Sequence, residues 1–375
     1  MDRIELLKMP IKIFDMFPQY KKYAEMTEFD QSFVCGLIEK YKPKKIVEIG
    51  VAAGGTTAVI LECLSVLKSD AVLYSIDISE EYYWDRTKRT GFVAQEIKEI
   101  TNFQTKHIVM NGKALPEVID EIGRDIDLII LDTTHILPGE LLDFPVCLPY
   151  LSPNAIVVLH DIILSSIGDD VIGQTEEFVA TNVLLNAVAA DKIVMEDTTR
   201  AGGYPNIAAF AITEDTTKYI ENCFRAMTLP WRYWPDYKQL ESYRNCYREN
   251  YPQNIAEIFD KAIMLQANRA CLEFKGISLD ILVEKWRRAQ HFVIYGYGIW
   301  CKRFLIFARA YRLKVDAIAI SDERALPVGD EQEYPIYHIS DLPFEPAECV
   351  ILMTVATEPR KLNHILMGKG FFDIV

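Results

Sequence analysis

Short apolar runs alternate with amphipathic stretches from Lys44 to about Thr213. The runs are KKIVEIG (44–50), AVLYSID (71–77), TKHIVMNG (105–112), DLIILD (127–132), AIVVLHD (155–161) and IAAFAI (207–212). Short β-branched runs separated by helical stretches predict a mostly parallel sheet with helices on both faces. In such a sheet, a ligand site lies beyond the carboxyl ends of the strands. The first five runs end in Gly or Asp, so polar residues collect where the site is expected.

The pattern changes on either side of this α/β region. Before it, residues 1–43 mix apolar and charged positions at helical spacing and predict a helical lead-in that ends at Pro43. After the α/β domain at 44–215, helical periodicity over 216–275 predicts a connector. A second, smaller α/β unit is then predicted over 276–375.

Three segments support that second unit. An apolar strand runs into a glycine turn in HFVIYGYG (291–298), and two further strands are predicted in VDAIAIS (315–321) and ECVILMTVA (348–356). This Rossmann-like pattern is weaker than the one in the first α/β region. Its incomplete glycine set favours a docking or dimerisation module, and hence a homo-oligomer, over a working dinucleotide site.

Composition narrows the classes of function. The 375 residues are 50% hydrophobic and 25% charged, as in a folded protein of about two domains. A net charge of −14 argues against a nucleic-acid partner. The eight cysteines have no paired spacing, which favours free thiols in a reducing cytoplasm over a zinc site. We see no signal peptide and no apolar run long enough for a membrane span.

The strongest local motif is VEIGVAAGGTT (47–57). A strand ends at Ile49. The glycines that follow form a tight turn that lets a ligand approach the backbone at the start of a helix, and they are Gly50, Gly54 and Gly55. Asp77 ends the next strand, where a carboxylate can accept hydrogen bonds from ribose hydroxyls or simply cap the following turn. The spacing is not the GxGxxG of a pyrophosphate site, so a sulfonium nucleoside fits better than a dinucleotide.

With these motifs, the chain resembles class I S-adenosylmethionine-dependent methyltransferases over about residues 40–215. Within that group it is similar to sugar O-methyltransferases of the macrocin and mycinamicin type and to their cephalosporin-hydroxylase-like relatives. The resemblance implies a Rossmann-like domain with a seven-stranded sheet. It also implies that Glu48 and Gly50 line the methionine part of the cofactor, that Asp77 holds the ribose, and that Asn111 and Gly112 lie against the adenine.

The resemblance also assigns the chemistry. It implies that Asp132 and Asp161 bind a divalent metal and that His135 is the general base. His160 stands where relatives often carry a carboxylate, so it is a third ligand, a polar neighbour or a spectator. Magnesium prefers oxygen ligands, whereas an imidazole favours zinc, manganese or iron.

The residues point to the same chemistry by themselves. Methyl transfer needs an acceptor oxygen held behind the methyl group, and an alcohol needs a base or a cation to become a good nucleophile. Asp132, His135, His160 and Asp161 follow two strand ends and can converge on one oxygen. The alternative is that the aspartates cap turns while the histidines satisfy backbone groups.

The expected function is therefore methyl transfer to a hydroxyl of a small molecule, with a sugar as the expected acceptor. Two other classes stay open at this point. One is an NAD-dependent oxidoreductase that uses a glycine turn for its dinucleotide. The other is a non-catalytic module that binds a nucleotide or nucleotide sugar.

Overall fold

The computed structural model describes residues 12–167, 175–200, 202–275, 278–310, 312–327, 334–355 and 358–375. These residues form two compact units, one of residues 1–233 and 239–256 and the other of residues 234–238 and 257–375. The first eleven residues of the predicted lead-in lie outside the described residues. The predicted domain boundaries, at 1–43, 44–215, 216–275 and 276–375, remain a prediction.

A seven-stranded sheet forms the centre of the first unit. Its strands are β1 (Lys45–Ile49), β2 (Val72–Asp77), β3 (Lys106–Asn111), β4 (Ile126–Leu131), β5 (Leu151–His160), β6 (Asp191–Ile193) and β7 (Ile207–Ala211). They lie in the order β3-β2-β1-β4-β5-β7-β6. All neighbours pair in parallel except β5 with β7 and β6 with β7. This confirms the predicted Rossmann-like α/β fold with a mostly parallel seven-stranded sheet.

Helices connect the strands. In the first unit they are α1 (Ile13–Met16), α2 (Glu28–Tyr41), α3 (Gly55–Val66), α4 (Phe92–Thr101), α5 (Leu115–Ile122), α6 (Gly139–Cys147), α7 (Leu164–Ile167), α8 (Ala180–Ala187), α9 (Glu214–Lys218) and α10 (Glu221–Ala226). Two helices contain residues of both units, α11 (Tyr237–Asn250) and α12 (Gln253–Lys275). The described residues also include short 3₁₀ helices at Pro18–Tyr23, Leu148–Tyr150, Ile339–Asp341 and Pro346–Glu348.

Both faces of the seven-stranded sheet are covered. Ile46, Leu128 and Ile130 belong to one buried cluster with residues of α2, α3 and α4. Successive strand side chains point to opposite faces. Because the neighbouring Val47 and Ile129 are also fully buried, the other face is covered as well. This explains why the strands are nearly continuous apolar runs, and why polar residues are left to the strand ends.

The second unit is a smaller parallel sheet. Its strands are β8 (His291–Tyr295), β9 (Ala317–Ile320), β10 (Ile336–His338), β11 (Cys349–Met353) and β12 (Asp373–Ile374), and its further helices are α13 (Leu279–Arg288), α14 (Ile299–Ala310) and α15 (Pro359–Gly368). The strand order is β10-β9-β8-β11-β12, with parallel pairing throughout. The predicted second α/β unit is therefore present.

All eight cysteines are buried. Across the described residues, every helix falls short of the length and apolar character that crossing a membrane requires. The cytoplasmic location stays a prediction.

One buried carboxyl group in α6 gives a testable effect on stability. Asp143 is only 6% exposed and accepts a hydrogen bond from the Tyr243 hydroxyl at 2.5 Å. Burial, together with the nearby charge of Glu140, raises the pKa of Asp143 from 3.8 to about 7. The folded protein thus favours the neutral form of the Asp143 carboxyl group. The contribution of this neutral group to the free energy of unfolding is lost as pH rises from about 4 through 7.

Asp143→Asn should therefore flatten the pH dependence of stability. Asparagine keeps an oxygen acceptor for Tyr243 but cannot ionise. Relative to the unmodified protein, we expect the free energy of unfolding of the variant to gain about 2 to 3 kcal/mol between pH 5 and pH 8. Urea unfolding at both pH values measures this difference. An equal shift at both pH values would contradict it.

Candidate active site

The glycine turn lies directly against the end of the neighbouring strand β4. Gly50 has a φ of +88°, and a Cβ added there would lie 1.8 Å from the backbone oxygen of Asp132. The Asp132 N–H donates to Ile49 O and so ties the ends of β1 and β4, while the Gly50 N–H donates to Ile76 O of β2, each at 3.0 Å. The predicted cofactor turn and the first predicted metal ligand are therefore backbone neighbours.

Asp77, at the end of β2, holds the glycine turn in place. One carboxylate oxygen accepts hydrogen bonds from the N–H groups of Val51 and Ala52, at 2.9 and 3.1 Å, and the other accepts from Ser79 N–H at 2.8 Å. The backbone oxygen of Asp77 accepts from the Gly112 N–H. Capping of the following turn is thus observed, and Oδ1, which accepts one hydrogen bond, still has a second lone pair for a ligand hydroxyl.

Two of the predicted cofactor residues carry buried acceptor atoms without a hydrogen-bond partner among the described residues. Glu48 accepts from Thr57 and Ser75 through Oε2, each at 2.7 Å, whereas its Oε1 has no partner. Burial raises the pKa of Glu48 to about 7. Asn111 donates to Thr90 O, and its Oδ1 is left without a partner. Such unpaired acceptors are costly unless a ligand supplies donors.

Gly54 and Gly112, the other two predicted cofactor residues, occupy the same edge of the sheet. Gly54 precedes α3, and a Cβ added there would lie 2.9 Å from Gly91 Cα. Gly112 follows β3, and a Cβ added there would lie 2.8 Å from the side chain of Glu80. The six predicted cofactor residues therefore lie near or just after the ends of β1, β2 and β3, which are adjacent in the sheet.

Asp132, His135 and Asp161 form a compact group of possible metal ligands. One donor atom of each lies within 4.8 Å of the other two. His135 Nε2 is 3.5 Å from Asp132 Oδ1 and 3.3 Å from Asp161 Oδ2. The three side chains are 12 to 17% exposed, so solvent reaches them. Two carboxylates and one imidazole are a donor set that suits a divalent ion and leaves further coordination positions open.

His160 plays a different structural part from His135. Its Nδ1 is hydrogen-bonded to Asp132 Oδ1 at 3.1 Å, and its Nε2 lies 3.6 Å from Asp30 Oδ2. His160 and Asp30 are enclosed, with side chains 5% and 0% exposed. Asp30 is itself fixed by a capping box with Thr27 at the start of α2. The ring thus links a strand-end carboxylate to the helix that precedes the sheet.

A buried carboxylate supports the loop that carries His135. Glu140 Oε1 accepts hydrogen bonds from the N–H and hydroxyl of Thr133 and from the N–H of His135. It also lies 3.1 Å from His135 Nδ1, an ion-pair contact without hydrogen-bond alignment. The opposite nitrogen, Nε2, is left facing Asp132 and Asp161. A carboxylate on the far nitrogen is the usual arrangement behind a metal-binding histidine.

The charges of this cluster shift its pKa values in opposite directions. Burial favours the neutral ring of His135, but Glu140, Asp161 and Asp132 outweigh it and raise the His135 pKa to about 9. The carboxylates likewise raise the pKa of His160 despite its burial. Burial acts to raise the pKa of Asp132, yet His160 and His135 hold it below its usual value. The cluster is thus an ion-pair network at neutral pH.

Three acidic residues of this region were missed by the sequence analysis: Glu25, Asp30 and Glu140. Glu25 and Asp30 precede the predicted sheet, and Glu140 lies inside α6, so no strand end marks them. The only available signal was the Thr27–Asp30 spacing at the start of a helix, which indicates a cap.

Comparison with known proteins finds one family. Residues 47–162 match the model of a family described as a methyltransferase domain. No curated protein matches the sequence.

Solved structures resemble about half of the chain. A putative O-methyltransferase from Klebsiella pneumoniae is 14% identical, with 55% of this chain and 92% of that chain covered and a TM-score of 0.41. An O-methyltransferase involved in tomaymycin synthesis in Streptomyces achromogenes, in complex with SAM, is 17% identical, with coverage of 54% and 87% and a TM-score of 0.38. An O-methyltransferase from Bacillus cereus, in complex with SAH, is 16% identical, with coverage of 55% and 93% and a TM-score of 0.38.

The family match covers the stretch from the glycine turn to the residue after Asp161, and it falls on the sheet that carries the site. Residues 47–162 are therefore similar to a methyltransferase domain.

Proposed function

We propose that this protein transfers a methyl group from S-adenosylmethionine to a hydroxyl of a small molecule, with a sugar-like ring as the acceptor. The observation that carries the proposal is the contact between Gly50 and Asp132. It puts the glycine turn beside the acid–imidazole cluster, which consists of Asp132, His135, His160 and Asp161. A methyl donor and an activated hydroxyl must meet within a few ångströms. In this protein the glycine turn, proposed to hold the methyl donor, and Asp132, proposed to help activate the hydroxyl, are backbone neighbours.

The cofactor suits the acceptor atoms of the glycine-turn region. S-adenosylmethionine has an ammonium group, two ribose hydroxyls and an adenine amine as donors, and it supplies a methyl group on a cationic sulfonium. We assign the ammonium to the side of Glu48, the ribose to Asp77, and the adenine to Asn111 and Gly112. The unpaired oxygens of Glu48 and Asn111 support this assignment.

For the metal we infer Asp132, His135 and Asp161 as ligands, with His160 as a positioning residue for Asp132. The side chains of the three proposed ligands are partly exposed to solvent, whereas His160 is enclosed, and this difference supports the choice. When bound, a divalent ion lowers the pKa of an acceptor hydroxyl. Because imidazole is one ligand, manganese, iron or zinc suits the set better than magnesium.

His135 suits a ligand role better than the general-base role implied by the resemblance. Its Nε2 lies between the carboxylates of Asp132 and Asp161, at 3.5 and 3.3 Å, and Glu140 lies on the side of Nδ1. This is the arrangement of a metal-binding histidine. In this proposal the chain holds the acceptor oxygen and the ion together, and the hydroxyl proton leaves to a neighbouring carboxylate or to water.

Asp77→Asn tests the cofactor assignment. We expect the dissociation constant for S-adenosylhomocysteine to rise about 10- to 100-fold, because a charge-assisted hydrogen bond to ribose is lost. Calorimetric titration measures it, and Asp70→Asn is the matched control. Asp70 lies just before the opposite end of the same strand and pairs with Lys44 on the surface.

The same titration separates the alternatives. Binding of NAD but not of S-adenosylhomocysteine would refute methyl transfer and favour an oxidoreductase. Equal affinity of Asp77→Asn and the unmodified protein for S-adenosylhomocysteine would remove Asp77 from the site. Cofactor binding without turnover across a broad panel of hydroxylated acceptors would favour a non-catalytic module.

A further inference from the structure

The segment just before α2 passes over the start of the glycine-turn helix. A Cβ added to Gly55, the first residue of α3, would lie 2.1 Å from Tyr23 O and 3.1 Å from Ala24 Cα. Glu25 follows immediately in the chain. The backbone of this segment therefore lies against the turn at which the cofactor is proposed to bind.

An aromatic loop after β2 packs against the same segment. The Tyr23 ring makes edge contacts with Tyr82 and Phe92, at centroid distances of 6.0 and 5.0 Å. Tyr83 follows Tyr82, and its hydroxyl donates to Glu25 Oε1 at 3.1 Å. Glu25 is thus held between the glycine turn and this loop.

The same carboxylate is close enough to the acid–imidazole cluster to interact with it electrostatically. Together with partial desolvation, the charge of Asp132 raises the pKa of Glu25 to about 7, while His160 acts in the opposite direction. Glu25 nevertheless remains open to solvent. Among the described residues, no hydrogen bond to its second oxygen, Oε2, is found.

Tyr83 and Trp84 expose large aromatic surfaces beside Glu25. Each residue is 57% exposed, and their ring centroids are 5.3 Å apart. Adjacent exposed aromatic residues next to the Glu25 carboxylate favour a ligand surface over a folding role. An aromatic face beside a carboxylate suits a ring that is apolar on its face and carries hydrogen-bond donors on its edge.

We propose that Glu25, Tyr83 and Trp84 form the acceptor-recognition site and bind a polyhydroxylated ring. The ring face lies on the aromatic surfaces, and Glu25 Oε2 accepts a hydrogen bond from a hydroxyl other than the one that is methylated. A neutral ring is favoured over a cationic acceptor, because a second positive charge would repel the sulfonium. This inference rests on the proposed function.

The test uses the full-length protein saturated with S-adenosylhomocysteine. Methyl β-D-glucopyranoside is the probe, catechol is the comparison ring, and saturation-transfer NMR reports binding. The variants are Glu25→Gln and Trp84→Ala. Glu28→Gln is the matched control, since Glu28 lies three residues away and its side chain is 92% exposed.

We expect the glucoside signal to fall at least fivefold in both variants and to stay unchanged in the control, with cofactor affinity unchanged within threefold. An unchanged glucoside signal in Glu25→Gln would overturn the proposal. Binding of catechol but not of the glucoside would also overturn it.

A loss of S-adenosylhomocysteine affinity in Glu25→Gln would show that Glu25 serves the cofactor, which likewise overturns the proposal. If the unmodified protein binds no S-adenosylhomocysteine at all, the proposed function itself fails. Thermal melting checks the fold of each variant. Should Trp84→Ala unfold, Tyr83→Phe, which removes only the hydroxyl that bonds Glu25, replaces it, and an unchanged signal there counts against the proposal.

Discussion

Asp132→Asn is expected to lower the affinity for Mn²⁺ by at least about 100-fold and turnover by about 1000-fold, while S-adenosylhomocysteine affinity changes less than threefold. Asp132 contributes a charged donor to the proposed ion site and contacts both histidine rings, at 3.1 Å to His160 and 3.5 Å to His135. Removing its charge weakens the ion site, whose contribution to catalysis is several kcal/mol. Calorimetry measures both affinities.

The change will also affect stability, because one carboxylate of a buried ion-pair network is lost. Asp30→Asn provides the matched control. It removes the carboxylate that faces Nε2 of His160 but leaves the three proposed ligands in place. We expect Asp30→Asn to destabilise the protein while keeping measurable Mn²⁺ affinity. If both variants lose Mn²⁺ binding equally, Asp132 is not a ligand and the cluster is a structural network.

Gly50→Ala is expected to destabilise the first unit by about 3 kcal/mol or more and to abolish cofactor binding. The new Cβ would lie 1.8 Å from Asp132 O, so the ends of β1 and β4 would have to separate. Backbone atoms at this position have little freedom to move, and overpacking of this kind costs about 1 to 3 kcal/mol. The φ of +88° adds about 1 to 2 kcal/mol of strain for any residue with a side chain.

Gly202→Ala separates the cost of a positive φ from the cost of overpacking. Gly202 has a similar φ of +82°, and a Cβ added there meets no atom within 4 Å. We expect it to cost only about 1 to 2 kcal/mol and to leave S-adenosylhomocysteine binding unchanged. Chemical unfolding and calorimetry compare the two variants. Equal destabilisation would show that strain, and not the contact with Asp132, makes glycine necessary at position 50.

The fold of the first unit was predictable because its strands are long apolar runs buried on both faces. The expected runs coincide with β1, β2, β3, β4, β5 and β7. β6 was missed because it has only three residues, Asp191–Ile193, two of them charged. In the second unit, β10 and β12 were missed for the same reason, with three and two residues.

The relative positions of the strand ends were also predictable. Parallel strands deliver their carboxyl ends to one edge, so Gly50, Asp77 and Asp132 were expected together from their places in the runs. The hydrogen bonds among residues 49–52, 77 and 132 agree with that expectation. The roles of these residues toward a cofactor or metal remain proposals.

The sequence by itself determined which residues end which strands, because local periodicity and parallel pairing are enough for that. Only the tertiary structure decided which histidine stays partly open beside the aspartates and which is enclosed, since Asp30 and Glu140 lie outside the strands that carry these groups. It also brought Glu25 to Tyr83, 58 residues away in the chain. Contacts of this kind depend on how helices and loops dock on the sheet, and no local pattern of hydrophobic and polar residues encodes them.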